Sequence, residues 1–443
     1  MEKRMNAPSQ AAVDAALQSP PLESVKVAAA NIVHPLLSPL VIDGRDGFSP
    51  DEIAVMAVIV SPQLRALRDQ RGVAQAQVLQ AGILPNPQLG YTLDQLHGKN
   101  APDLINGKSL GLTWDFTSLL GRQDRIDSAK LSAGALDLSI AWQEWQTAQD
   151  ARLRAYRLLS LRARLPLLHQ IEADLAETLA AIKQAATLGH KTAIDVTTTS
   201  EAWITAQTNR LNAEQDYATE RAALNLTLGQ PADAEIALKP AAEFPQLPPD
   251  TAAATLLQGL EKRRLDLVAL TLGYESQEAN VRAAVKAQFP KIGLSFAKAN
   301  DTSDVRTRSY GVTVDLPLFD RNQGNVAIAC ATRQQLFDEY VARVAEARSE
   351  VVLLLGKLAA TRRQLQTDSE TLPELERLVA SFEQAVQTRN VDVTAYRDAR
   401  GLLAARRLEQ SNLQEQVLEL GVALELATGR SLLNGSSLHK ISP

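Results

Sequence analysis

Ser109-Leu110-Gly111-Leu112-Thr113-Trp114-Asp115-Phe116 returns 200 residues later as Ser309-Tyr310-Gly311-Val312-Thr313-Val314-Asp315-Leu316. Both octapeptides alternate strictly. Leu110, Leu112, Trp114 and Phe116 fall on one face, as do Tyr310, Val312, Val314 and Leu316, and the opposite face carries only small or polar residues. Period two marks a strand with one apolar face. In a soluble domain that face would cover a core. Two features favour a bilayer instead. The segments are about the length of a tilted strand crossing the hydrocarbon layer. The few aromatic residues also gather around them, at Tyr91, Trp114, Phe116, Phe289, Phe296, Tyr310 and Phe319.

Working outward, the duplication extends in both directions. Upstream, Pro87-Gln88-Leu89-Gly90-Tyr91-Thr92-Leu93 pairs with Pro290-Lys291-Ile292-Gly293-Leu294-Ser295-Phe296. Downstream, Ile194-Asp195-Val196-Thr197 pairs with Val391-Asp392-Val393-Thr394, and each copy closes on a glycine, Gly229 or Gly429, where a long helix should end. The chain is therefore read as mainly α with β, in two tandem strand-strand-long helix-helix repeats. An N-terminal segment of unassigned role covers 1–33, and the first repeat covers 34–230, with strands at about 85–95 and 107–117 and helices at about 122–187 and 194–229. A linker rich in proline and acidic residues follows at 231–250. The second repeat covers 251–430, with strands at about 289–298 and 308–317 and helices at about 324–389 and 393–429, and a tail at 431–443 ends the chain. On this plan each repeat opens on its strand pair.

The outbound helices would each reach on the order of 100 Å, at about 1.5 Å per residue. Leu372, Leu375, Val379, Phe382 and Val386 step by three and four, the spacing of a coiled-coil seam, and Leu165, Leu168, Leu175, Leu179 and Ile182 do the same in the first copy. Pro166 and Pro373 fall inside these runs and should break or kink them. Four strands cannot close a barrel, and open edges are costly in lipid. Three chains supplying twelve strands remove those edges.

Composition narrows the function classes. The chain has 443 residues, 45% of them hydrophobic but only 4% aromatic, which is a poor recipe for several compact cores and a good one for long helices. A net charge of −5 offers no basic stripe for a phosphate backbone, so no nucleic-acid partner is expected. No stretch has about 18 uncharged apolar residues in a row, so a membrane role requires strands. Met1 to Ser19 lacks the apolar run of a secretory signal; an exported chain is expected to have lost its signal or to start further upstream. The histidines His34, His97, His169, His190 and His439 share no ligand spacing, and Cys330 stands alone, so neither a metal centre nor any other cofactor is expected. Phosphate loops and nucleophile elbows are missing, the many helix carboxylates read as solvated faces, and no enzyme is expected.

Leu316-Pro317-Leu318-Phe319-Asp320-Arg321-Asn322-Gln323-Gly324, between a strand and a long helix, resembles the strand-to-helix junction of the TolC-type outer-membrane efflux proteins, especially their cation-efflux branch. So does Gly82-Ile83-Leu84-Pro85-Asn86-Pro87 before the first strand. With the duplicated plan, the resemblance covers roughly residues 34 to 430. It implies a homotrimer forming a 12-stranded transmembrane β-barrel in the outer membrane, continued by a periplasmic α-helical coiled-coil barrel. The expected partners are outer-membrane lipid, a periplasmic adaptor (membrane fusion protein) and an inner-membrane pump, which consumes the energy. The duct itself would pass metal cations or small toxic molecules without chemistry. Many members also carry an acylated N-terminal cysteine, which is not visible here.

Two groups of carboxylates are candidate sites. The resemblance places the closed periplasmic aperture and the adaptor contact at the hairpin tips, Thr187 to Val196 and Thr388 to Val393. Asp195 with Glu201, and Asp392 with Asp398, hold matching positions there, and threefold symmetry would turn each into a cation-attracting ring. The competing role is capping of the return helices, whose N-termini favour Asp. Asp115 and Asp315, on the small-residue face of their strands, are expected in the barrel lumen. Two other classes of protein share part of the pattern. A periplasmic adaptor would have one long hairpin rather than two complete copies, and a soluble coiled-coil scaffold would have no use for aromatic-rich strands.

Overall fold

The computed structural model describes residues 9–17, 20–97, 104–239, 253–387 and 393–432. In chain order, α1 (Gln10–Leu17), α2 (Leu22–Ala30), α3 (Pro50–Val60) and α4 (Pro62–Gly82) precede β1 (Gln88–Asp94) and β2 (Gly107–Asp115). The long helices α5 (Arg122–Thr187) and α6 (Ala193–Thr227) follow. The second half runs α7 (Ala253–Leu257), α8 (Leu260–Arg263), α9 (Leu265–Lys286), β3 (Lys291–Asn300), β4 (Arg306–Asp315), α10 (Gln323–Gln387) and α11 (Val393–Thr428). The fold is mainly helical with one small sheet.

Three sequence expectations are corrected. Each half opens on a helix, α4 or α9, and not on its strand pair; α4 is spelled in Ala, Leu, Gln and Arg with little apolar periodicity, so propensity rather than pattern carries it. Pro166 and Pro373 lie inside α5 and α10 without breaking them. Proline frees the carbonyl four residues before it, here on Arg162 or Ser369, and both residues are exposed, so water can satisfy it. The helix carboxylates are not all solvated, because Glu425, Asp51 and Asp124 are buried.

The chain divides into two compact units, one of residues 67–140 and 265–345 and the other of residues 1–66, 141–264 and 346–443. The first holds the sheet, antiparallel throughout in the order β1-β2-β3-β4. Its register places Leu89, Leu112, Phe296 and Tyr310 side by side on one face, and Trp114, Leu294 and Val312 on the next rung of that face. The rings of Phe296 and Tyr310 lie 5.3 Å apart, and Trp114 Nε1 donates to Pro85 O at 2.8 Å. Below the sheet, Asp124 in the first turn of α5 accepts from Arg282 Nε at 3.2 Å and pairs with Lys286 Nζ at 2.5 Å on α9. One turn further, the buried Ser128 and Ser276 hydroxyls meet at 2.9 Å.

The helical unit is built around α3, whose Ile53 to Val58 are buried as a block. Ser49 and Glu52 form a capping box at its start, with Pro50 in the first turn. A larger core gathers Tyr156, Leu256, Val351, Leu358, Leu418, Val422 and Leu424. Further along, Leu161, Leu165, Leu168, Ala213 and Tyr217 pack α5 on α6, and Leu372, Leu375, Val379, Phe382, Ala399 and Leu403 pack α10 on α11. Both return helices end alike. Gly229 and Gly429 take left-handed φ of 66° and 64°, and the next amide reaches back five residues, from Gln230 to Asn225 O and from Arg430 to Glu425 O.

Candidate functional site

The sheet presents two faces of opposite character. On the apolar one Leu89 is 71% exposed, Val312 67% and Tyr310 79%, so none of the described residues covers it. The other face carries Gly90, Thr92, Ser109, Gly111, Thr113, Ser295, Ala297, Ser309, Gly311 and Thr313, all small or polar. Asp115 and Asp315 belong to this second face, at the end nearest the helices. Asp115 lies on the rung of Gly293 and Thr313, and Asp315 faces Lys291 one rung on. Both aspartates are exposed, and Asp115 Oδ1 also accepts from the Thr117 amide at 2.8 Å, which turns the chain out of β2.

The junction from β4 into α10 is held by its own side chains. Asn322 takes a left-handed φ of 57°, a conformation that asparagine tolerates better than most residues. Its amide donates to Asp320 Oδ1 at 2.9 Å and its Nδ2 to Ala284 O at 2.8 Å in the last turn of α9. Phe319, in the same junction, is 93% exposed.

At the first hairpin tip, α5 ends at Thr187 and Gly189 turns the chain with φ 79°. Thr192 caps α6: its Oγ1 accepts from the Asp195 amide at 3.2 Å, while Asp195 Oδ2 accepts from the Thr192 amide and hydroxyl, each at 2.8 Å. Those hydrogen bonds from Thr192 hold the half-buried Asp195 carboxyl below its ordinary pKa, so it stays ionised. Glu201 is exposed on the same helix. A six-residue step turns an α-helix by about 240°, so Asp195 and Glu201 point to different sides of α6. Asp392 lies outside the described residues, as do all of residues 388–392. Asp398 is exposed on α11, between Arg397, 3.8 Å from Glu177, and Arg400, 3.0 Å from Asp174. Burial pushes the Asp174 carboxyl up despite Arg400.

Sequence reasoning missed the ladder that joins α5 to α11. Arg157 pairs with Glu419 at 2.6 Å and Arg164 with Glu415 at 2.8 Å; Arg400 and Arg397 continue it toward the tip, where Asp174 and Glu177 receive them. At its other end, Arg152 is fully buried between Asp51 at 2.8 Å and Glu425 at 2.5 Å. Burial works to lower the Arg152 pKa, but the two carboxylates outweigh it and leave it raised, and burial pushes Tyr156 up to about 12. The available signal was Glu425 itself, flanked by Leu424 and Leu426 where a solvated face would carry polar residues. Among the described residues no cluster of three or more His, Cys, Asp or Glu has metal-binding geometry, and no helix is long and apolar enough to cross a membrane.

Comparison with known proteins places this geometry. Residues 256–430 match the family model of the outer membrane efflux proteins, so the resemblance read from the sequence is borne out in the second repeat. The chain is 21% identical to the cobalt-zinc-cadmium resistance protein CzcC of Cupriavidus metallidurans over 377 residues, 83% of this chain and 86% of that one. Crystal structures of CusC share the fold with a TM-score of 0.68 at 17% identity, covering 91% of this chain and 98% of that one. The open state of the Neisseria gonorrhoeae MtrE outer membrane channel does so with a TM-score of 0.70 at 14% identity, over 92% and 97% of the two chains.

Proposed function

We propose that the chain is one subunit of a trimeric outer-membrane channel, the passive export duct of a tripartite efflux system. The observation that carries this reading is the sheet: its apolar face is exposed along its length, its other face is small and polar, and β1 and β4 each have one strand neighbour among the described residues. Three copies joined β4 to β1 would close twelve strands into a barrel with no free edge, apolar residues toward lipid and the Gly, Ser and Thr face toward a water-filled lumen. Asp115 and Asp315 would then line the lumen near its periplasmic end. The helices would continue the tube through the periplasm, to tips where an adaptor and an inner-membrane pump engage. Asp195, repeated three times, is the favoured carboxylate ring at the aperture, with Asp392 as its counterpart in the other hairpin. Glu201 is proposed for the adaptor contact, since the six-residue step turns it away from Asp195, and Asp398 is proposed for the same role as its counterpart in the other repeat.

Metal cations are the favoured cargo, supported by the similarity to CzcC and by a small, polar lumen face that includes Asp94, Asp115 and Asp315; small toxic molecules are the second choice. A passive duct takes its selectivity mostly from its pump, and no chemical step is assigned to it. The test is to express the chain behind a functional export signal, fractionate the envelope and count subunits in detergent. A detergent-dependent trimer in the outer-membrane fraction is expected, whereas a soluble monomer or dimer would overturn the reading.

A further inference from the structure

The apolar face of the sheet changes character along its length. Next to the helices it carries Trp114, Ile292, Leu294, Val312 and Val314. Toward the hairpin turns the same face carries Lys108, Lys298, Arg306 and Arg308, all exposed. The register sets Lys298 directly opposite Arg308, and on the next rung links Lys108 through Asn300 to Arg306. No acidic residue of the strands shares this face, because Asp94, Asp115 and Asp315 belong to the other. In the turn above, Asp301 Oδ1 accepts from the Ser303 and Val305 amides and Asp304 Oδ1 from Asn300 Nδ2.

This arrangement is unfavourable without an anion. Like charges directly opposite each other destabilise a strand pair, and cations on the lipid face of a barrel are tolerated only near the membrane interface. Height agrees with that position. From Leu316 the chain climbs eight to ten residues to Arg308 and Arg306, which is about 27–34 Å along the strand and, at a tilt near 40°, about 20–26 Å along the barrel axis. An apolar band is about 25 Å tall. The four cations therefore lie at its outer rim, on the side away from the helices.

We propose that Lys108, Lys298, Arg306 and Arg308 form a phosphate-binding belt that seats the phosphorylated glycolipid headgroups of the outer leaflet. The proposal rests on the barrel reading above. Phosphate oxygens accept from Arg as a fork and from Lys as a point charge, and an anion between Lys298 and Arg308 turns their repulsion into two attractions.

The test uses the full chain in phosphatidylcholine vesicles, with bisphosphorylated lipid A or with its dephosphorylated form. Insertion is read by carbonate resistance and subunit count, and bound glycolipid by native mass spectrometry after extraction. The expected result is that wild type inserts and retains lipid A, while the inserted K108Q/K298Q/R306Q/R308Q variant retains at least about tenfold less. The charge-keeping K108R/K298R/R306K/R308K variant is expected to retain it. Equal retention by the glutamine variant overturns the belt. So does equal retention of the dephosphorylated glycolipid by wild type, whatever the variant does. Failure of wild type to insert as a trimer sinks the barrel reading itself.

Discussion

The Arg152 guanidinium, with no exposed surface, lies 2.5 Å from the Glu425 carboxylate, a residue 273 positions away in sequence. Asp51 completes the contact, and the other Glu425 oxygen accepts from the Leu432 amide at 2.6 Å. Helix α3, α5 and the end of α11 are thereby locked to one cation. Glu425→Leu removes a buried anion and leaves Asp51 as the one carboxylate on the cation among the described residues, at a cost of about 3–5 kcal/mol. The check is a thermal melt of the detergent-solubilised protein. Asp51→Asn and Arg152→Met combined with Glu425→Leu are expected to recover part of the loss, because the three buried charges are then removed together.

Acid should loosen the strand-bearing unit at Asp124. Burial works to raise its pKa, but Lys286 and Arg282 outweigh that and hold it below the ordinary value. A depressed carboxylate contributes stability above the unfolded pKa of about 3.9, and that contribution is lost as pH falls through the lower folded value. Asp124→Asn is expected to melt earlier at pH 7 and to show a flatter acid limb than wild type. Melting curves across the acid range decide it; parallel limbs would contradict the assignment.

The two roles of Asp195 separate by substitution. Asp195→Asn keeps an acceptor for the Thr192 amide and removes the charge, whereas Asp195→Ala removes both. If three Asp195 carboxylates ring the aperture, the Asn variant loses cation selectivity in planar-bilayer recordings while its melting curve stays close to wild type. Unchanged selectivity in both variants would leave Asp195 as a helix cap alone.

Gly229 and Gly429 hold the same left-handed turn in the two repeats, and neither has room for a side chain. A Cβ on Gly229 would approach Pro62 Cγ at 3.0 Å, and one on Gly429 would approach Arg263 O at 3.2 Å. Alanine at either position should cost about 1–2 kcal/mol from backbone strain alone, read as a lower melting midpoint. The double variant should lose roughly the sum, since the sites share no partner.

The legible parts of the molecule were those written as a period. The alternation through Leu110, Leu112 and Trp114 coincides with β2, and the steps through Leu372, Leu375 and Val379 with the seam between α10 and α11. Helix α4 was hidden because its residues favour a helix without marking a face. Strand ends were blurred because prolines truncate them: β1 starts after Pro87 and β3 after Pro290, each lacking the amide a ladder needs. The Arg152 site was illegible for a different reason. A buried ion and a solvated one are the same letter, and only packing from Asp51 and Glu425 distinguishes them. At the tip, Asp195 was visible as a carboxylate at a helix start, but a spacing cannot say whether its oxygen serves the backbone or the duct.

The pairing of β2 with β3 joins one repeat to the other inside a single polypeptide. In the proposed trimer the β4-to-β1 contact between chains would repeat that join, so the tube is a ring of six similar staves of which alternate seams are covalently bridged. The two kinds of stave differ in charge on the polar face of the sheet, where the first repeat has Gln88 and the second Lys291. A cation moving along the axis would therefore meet sixfold geometry carrying a threefold pattern of charge. A half-length relative with a single repeat would need six copies to complete the same ring, and duplication within one chain halves the number of assembly events.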